Sequence, residues 1–246
     1  MAISPYEVLS KYYQKIIYDN EYDKWTDYLL TVVKEKSPSV SGVDIGCGTG
    51  IFTRKLKKAG FDVSGVDISQ PMLTVAETIS RKERIKIDYI KGDMRNIALF
   101  KKVGFITVVN DGINYVEQKD LKKTFNSFSK CLQKGGLLVF DLSTQYKLQF
   151  VLGNNMYGDD SEDLSYLWLS EYDSVENKVD ISISFFEKQG ETYKRYNEYQ
   201  TQYAHDIGFI ETALIDSGFE ILSVTNPYGQ DILSKEERIL FVAVKK

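Results

Sequence analysis

Histidine, cysteine and proline are scarce in this sequence: one, two and four in 246 residues. One imidazole, that of His205, cannot build a site that needs several, and two thiols cannot close a four-cysteine zinc cage. No metal site is expected. Cys47 and Cys131 lie far apart with no disulfide framework, and the first residues carry no charged-then-apolar leader. No apolar run reaches the ~18 residues of a membrane-spanning helix. Basic residues do not outnumber acidic ones, and the net charge of -4 gives no sign of a general nucleic-acid binder. These absences point to a cytoplasmic chain with no membrane and no nucleic-acid partner. Its chemistry must run on carboxylates, backbone, tyrosines or a borrowed cofactor.

What is present begins with helices. Leu9, Tyr12, Tyr13 and Ile16 recur at helical spacing, as do Trp25, Tyr28, Leu29 and Val32. Ser37-Pro38 should close the second helix. From residue 40 short apolar strands alternate with helices: Val40 to Ile45, Phe61 to Val66, Ile85 to Ile90, Val103 to Val109 and Leu137 to Leu142. The intervening helices carry Phe52, Leu56 and Ala59; then Met72, Val75, Ala76 and Ile79 behind a Ser69 N-cap; then Leu121, Phe125, Phe128 and Leu132, ended by Gly135-Gly136. Alternation with strands this apolar predicts a parallel sheet covered on both faces.

After Leu142 the pattern changes. Val179, Ile181, Ile183 and Phe185 alternate with polar residues at period two, and residues 164 to 203 read as antiparallel strands with a turn at Lys188-Gln189-Gly190-Glu191. Asp206 then caps a helix that Gly218 stops, and two strands follow, Phe219 to Thr225 and Arg238 to Val244. Residues 155 to 205 hold eleven acidic and four basic residues, whereas 37 to 154 hold eleven and eighteen. An acidic lid of this kind is either a solvated surface or a mouth that disfavours polyanions and admits an amine or a neutral molecule.

Three features fall at successive strand ends. Val43-Asp44-Ile45-Gly46-Cys47-Gly48-Thr49-Gly50 ends a strand and opens a helix, placing glycines where a ligand can approach the backbone and meet helix-terminal N–H groups. The dinucleotide fingerprint would need a glycine at Ile51, and no G-K-[ST] follows for a phosphate loop. Asp67 ends the second strand, where a carboxylate can bind a ribose diol. Asp93, in Gly92-Asp93-Met94, follows the third, where it or its backbone can meet an adenine edge.

Val43 to Gly50, Gly65 to Ser69, Gly92 to Met94 and Gly135 to Leu142 together resemble the ordered motifs of class I S-adenosylmethionine-dependent methyltransferases, over about residues 40 to 143. The resemblance implies an α/β fold, with a Rossmann-like seven-stranded, mostly parallel sheet whose last strand is antiparallel. A helical N-terminal cap would occupy 1–36, the cofactor-binding domain 37–144 and 206–246, and a small antiparallel β insertion, the substrate lid, 145–205. It implies S-adenosyl-L-methionine as cofactor. Asp44 and the loop of Gly46, Cys47, Gly48 and Gly50 would hold its methionine portion. Asp67 would take the ribose hydroxyls with Ile68 on the adenine face, Asp93 and Met94 would frame the adenine, and Asn110 and Asp111 would line the other side.

Tyr22-Asp23-Lys24-Trp25 and Asn110 to Tyr115 are similar to the cap and post-strand loop of small-molecule N- and O-methyltransferases. Thirteen of the seventeen tyrosines lie in residues 1 to 28 or 157 to 203, where a cap and a lid would stand. Tyr13 and Tyr22 are the cofactor-side candidates, and Tyr115 and Tyr203 the substrate-side ones. His205 and Tyr115 are the candidate catalytic residues, since only an imidazole has an ordinary pKa near neutrality. The expected activity is methyl transfer to nitrogen or oxygen of a small-molecule acceptor by a monomer or homodimer. A nicotinamide-dependent oxidoreductase, a non-catalytic S-adenosylmethionine-binding protein and an RNA or protein methyltransferase remain as alternatives.

Overall fold

In the computed structural model, residues 6–17 and 20–246 are described. Residues 1–5 and 18–19 of the expected cap lie outside them. Two helices, α1 (Leu9–Ile17) and α2 (Asn20–Lys36), precede alternating strands and helices: β1 (Ser41–Ile45), α3 (Ile51–Lys58), β2 (Asp62–Asp67), α4 (Gln70–Lys82), β3 (Tyr89–Lys91), β4 (Val103–Val108), α5 (Leu121–Cys131) and β5 (Leu132–Ser143). A π-helical turn (Lys147–Leu152) leads into β6 (Asn155–Asp160), β7 (Leu164–Asp173), β8 (Lys178–Gln189) and β9 (Thr192–Tyr203). The chain ends with α6 (Ile207–Asp216), β10 (Phe219–Thr225) and β11 (Arg238–Lys245).

The central sheet has seven strands in the order β10-β11-β5-β4-β1-β2-β3. β1 to β5 pair in parallel, and β11 runs antiparallel to both β5 and β10. The strand order reverses at β1, which pairs with β2 on one side and β4 on the other. That reversal opens a crevice at the carboxyl ends of the strands. Phe241 of β11 sits opposite Phe140 of β5, their rings stacked 4.9 Å apart. This pair fills the pleat where the antiparallel strand enters.

Sequence signals set most boundaries. The Ser69 hydroxyl accepts from the Met72 N–H, the Asp206 carboxylate accepts from the Phe209 N–H, and Gly190 turns the β8–β9 hairpin at φ 66°. Two expectations need correction. α5 stops at Cys131 rather than at Gly135-Gly136, because Leu132 already pairs with Val103 of β4; the glycines lie in a register shift of β5. The third strand covers Tyr89–Lys91 rather than 85–90, because the chain leaving α4 comes alongside β2 only at Asp88, whose carbonyl accepts from the Gly65 N–H. β6, fully exposed at the edge of the four-stranded insertion sheet β6-β7-β8-β9, has no apolar alternation to announce it.

The two N-terminal helices join different cores. Trp25, Leu29, Val32 and Val33 of α2 pack with Phe52, Val63 and Phe105 against the central sheet. Val8 and Leu9 instead join Val179, Ile181, Ile183 and Phe185 of the insertion. Glu198 of β9 fixes this junction: its buried carboxylate accepts from the N–H groups of Tyr6, Val8 and Leu9, at 3.1, 2.6 and 3.0 Å. A strand of the insertion thereby caps the first turn of α1 from 190 residues away.

Candidate active site

The carboxyl ends of β1 to β4 open into one cavity of about 720 Å³, within the usual range of small-ligand sites. Its floor includes Gly46, Gly48, Asp67, Gly92, Asn110 and Asp111; Tyr6, Leu9, Tyr13 and Ile16 of the α1 region cover one side, and Trp168, Gln200 and Gln202 of the insertion close another. A narrow recess of about 20 Å³ adjoins it behind the glycine loop, sharing Tyr13, Tyr22, Gly46, Gly48 and Asn110 and adding Asp44 and Thr49.

The loop is held by its own carboxylates. Asp67 accepts from the Gly48 N–H and the Ser69 N–H, each at 2.8 Å, which fixes its plane and leaves further lone pairs for a ligand. Burial pushes the Asp67 carboxyl above the ordinary range, against the pull of these N–H groups. Gly48 adopts φ 54°, and a Cβ built there would meet nothing within 4 Å; the backbone is bare to an approaching group. Asp44 is fully sequestered, accepting from the hydroxyls of Thr53 at 2.6 Å and Thr107 at 2.8 Å. Burial lifts it to about 6.

Across the cavity, the loop after β4 is bent at two successive non-glycine residues in the left-handed region, Asn110 (φ 65°) and Asp111 (φ 54°). Asn and Asp are the non-glycine residues that adopt this region most readily. Asp141 of β5, 1% exposed, accepts from both their N–H groups, at 2.7 and 2.9 Å, and pairs with Arg238 of β11. The Arg238 guanidinium lies over the Trp25 ring, 5.0 Å from its centroid. Burial raises the Asp141 carboxyl. For Asp111 burial acts the same way, but Arg238, Lys147 and the Ser143 and Gln202 hydrogen bonds outweigh it and hold that carboxyl low. Asn110 in turn donates to the Tyr13 hydroxyl at 2.9 Å.

This arrangement agrees with the comparisons to known proteins. A methyltransferase-domain family model matches residues 43–136. The crystal structure of an S-adenosylmethionine-dependent methyltransferase from Clostridium acetobutylicum ATCC 824 superposes with a TM-score of 0.87, at 32% identity over 98% of each chain. The chain is a class I S-adenosylmethionine-dependent methyltransferase. The protein named "Putative methyltransferase YqeM" of Bacillus subtilis (strain 168) is 31% identical over 98% of this chain and 97% of that one. The dTDP-3-amino-3,4,6-trideoxy-alpha-D-glucopyranose N,N-dimethyltransferase of Streptomyces venezuelae is 29% identical over 46% of this chain and 47% of its own.

The cofactor of this methyltransferase is S-adenosylmethionine, and the residues present suit it. The Thr49 hydroxyl is buried beside the recess with no hydrogen-bond partner among the described residues, a polar atom that a ligand's polar group would complete. Ile68, 58% exposed as a residue, lines the cavity as an apolar face beside Asp67. Among the described residues, the cavity wall carries five carboxylates (Asp67, Asp93, Asp111, Glu236, Glu237) and three cations (Arg95, Lys147, Arg238). That excess of negative charge matches a sulfonium.

Of the residues singled out in the sequence, Tyr13, Tyr22, Gly46, Gly48, Asp67, Ile68, Asp93, Met94, Asn110, Asp111 and Tyr115 line the main cavity. Asp44 and Cys47 line the recess. Gly50 lines neither: at φ 74° its missing Cβ makes room for the Tyr89 hydroxyl, 2.4 Å from where the Cβ would stand. Asp93 reaches the cavity, but Arg95 binds its carboxylate through Nε at 3.0 Å to both oxygens and through a terminal nitrogen at 2.6 Å. The Cys47 sulfur packs toward Gly65 rather than into the main cavity, and burial pushes its thiol well up.

His205 and Tyr203 do not line the cavity. His205 is 4% exposed and faces the backbone of Ile113 and Val116; burial lowers its pKa against the pull of those backbone groups. In this position the imidazole forms no part of the cavity wall. Sequence reasoning missed Asp141, Arg238, Gln200 and Gln202. Asp141 lies in a quoted motif, yet a carboxylate inside a buried strand carries no local sign of its partner 97 residues later.

Proposed function

We infer that this methyltransferase transfers a methyl group to nitrogen or oxygen of a small-molecule acceptor, and that an amine is the acceptor its charge favours. The cavity carries the reading: it runs from the strand ends to the insertion sheet, roofed by the α1 region, with space beside a cofactor for a molecule of modest size. The negative wall suits an ammonium group as well as a sulfonium. The Streptomyces venezuelae relative is named as an N,N-dimethyltransferase of an amino sugar, which supports nitrogen as the target.

Bound S-adenosylmethionine supplies an already activated methyl group. Under this reading Asp67 binds the ribose hydroxyls, Ile68 and Met94 flank the adenine, and Gly46, Gly48 and Thr49 hold the methionine portion next to Asp44. Asn110 and Asp111, locked by Asp141, form the wall between cofactor and acceptor. Tyr13, Tyr22 and Trp25 exclude water from that wall. Alignment in a closed site supplies the acceleration, about 7–11 kcal/mol in favourable cases. Tyr115, pushed by burial to about 12, keeps its proton and positions rather than deprotonates.

A labelled-methyl assay across amines, carboxylic acids and phenols tests the reading, with transfer to an amine expected. Transfer to RNA or protein with none to any small molecule would overturn it. Asp67→Ala should weaken S-adenosylhomocysteine binding at least about tenfold by calorimetry, as expected for losing hydrogen bonds to a charged group; unchanged affinity would refute the ribose role.

A further inference from the structure

Gln200 and Gln202 of β9 stand two residues apart, on one face of the strand, and both line the cavity at 8% and 5% exposure. Their hydrogen bonds run in one direction. Asp111 can only accept, so Gln202 must turn its NH2 toward it, at 3.2 Å; the same nitrogen donates to the Tyr115 hydroxyl at 3.0 Å. The Tyr115 proton then goes to Gln200 Oε1 at 3.2 Å. This chain, anchored on an ionised carboxylate, leaves Gln200 Nε2 and Gln202 Oε1 buried without partners among the described residues. One is a donor and the other an acceptor, and an orphaned buried polar atom is costly unless something completes it.

We propose that Gln200 Nε2 and Gln202 Oε1 are the acceptor-recognition pair of this enzyme, and that they select a molecule carrying a second polar group beside the methylated atom, such as an amino alcohol or a vicinal diol. This deepens the small-molecule reading above and rests on it. A second polar group beside the methylated atom can accept from Gln200 or donate to Gln202; a simple alkyl amine or a monophenol can satisfy at most one of the two while it is being methylated. Sites built to hydrogen-bond a substrate hydroxyl reject analogues that lack it far more strongly than apolar pockets reject a missing methylene.

The test is labelled-methyl transfer to matched pairs, 2-aminocyclohexanol against cyclohexylamine and catechol against phenol, with S-adenosylhomocysteine calorimetry alongside. The native enzyme should favour the hydroxyl-bearing member of a pair at least about tenfold in kcat/KM. Gln200→Glu keeps the acceptor for Tyr115 but removes the donor; Gln202→Met removes the free acceptor together with the donor to Asp111 and Tyr115. Each variant should lose the preference through a raised KM for the hydroxyl-bearing substrate, with cofactor-product affinity unchanged in Gln200→Glu. Transfer without preference in the native enzyme, or a preference that survives both variants, overturns the recognition pair alone. Absence of transfer to every member of the panel, while S-adenosylhomocysteine binds, overturns the small-molecule reading and the pair with it.

Discussion

Replacing Asp141 by asparagine should unlock the cavity wall although Asp141 touches no ligand position directly. Its two oxygens serve three donors: the Asn110 N–H at 2.7 Å, the Asp111 N–H at 2.9 Å, and Arg238. An asparagine offers one oxygen and one NH2, so in either orientation one backbone N–H faces another donor. An unmet buried donor costs about 1–3 kcal/mol, and removing one partner of a buried ion pair brings the total to the order of 3–5 kcal/mol. Arg238 retains Asp111 at 3.7 Å, which argues for the lower end.

The same bonds hold Asn110 and Asp111 in the left-handed region, so the loop should relax once one of them is lost. Asp141→Asn is therefore expected to lose about 3 kcal/mol in urea unfolding and to bind S-adenosylhomocysteine at least about tenfold more weakly. Arg238→Met should be destabilising alone, and the double variant should lose less than the sum, because the second change removes the cation that the first leaves underpaired. An Asp141→Asn protein within about 1 kcal/mol of the native stability, with unchanged ligand affinity, would refute the reasoning.

Three further outcomes follow from buried groups. Burial raises Asp44 from 3.8 to about 6 against the Thr53 and Thr107 hydrogen bonds, so between roughly pH 4 and 6 the folded chain keeps a proton that the unfolded chain releases. Stability from this group falls as pH rises through that window, and Asp44→Asn should flatten a slope worth on the order of 3 kcal/mol in pH-dependent unfolding; an unaltered slope would contradict the assignment. His205→Leu alters a 4%-exposed side chain that does not line the cavity, so the pH–rate profile should not move; loss of the neutral-pH limb would restore the imidazole as a base. Glu198→Ala frees three N–H groups at the start of α1, and amide exchange over residues 6–17 should speed up by about tenfold, in line with losing a helix cap; unchanged protection there would show that packing alone holds the helix.

The sequence by itself determined the strand-end chemistry. Asp67 and the Gly46–Gly48 loop follow strands whose apolar runs are local, and their hydrogen-bond partners lie within one strand-helix-strand unit: Asp67 binds the Ser69 N–H two residues on and the Gly48 N–H across one crossover. Helix caps at Ser69 and Asp206 were legible for the same reason. Tertiary structure decided the rest, because the partners are remote. Asp141 meets Asn110 only when β5 lies beside β4, and Arg238 only when β11 folds back antiparallel. α1 joins the insertion because Glu198, in a strand of polar residues, turns inward to its N–H groups. His205, the one side chain whose ordinary pKa nominated it as a base, was placed by burial outside the cavity, and Gln200 and Gln202, which no motif marks, were placed on its wall. Residue type fixes what a side chain can do; which of them share a cavity depends on strand order and register, and those are set by burial across the whole chain.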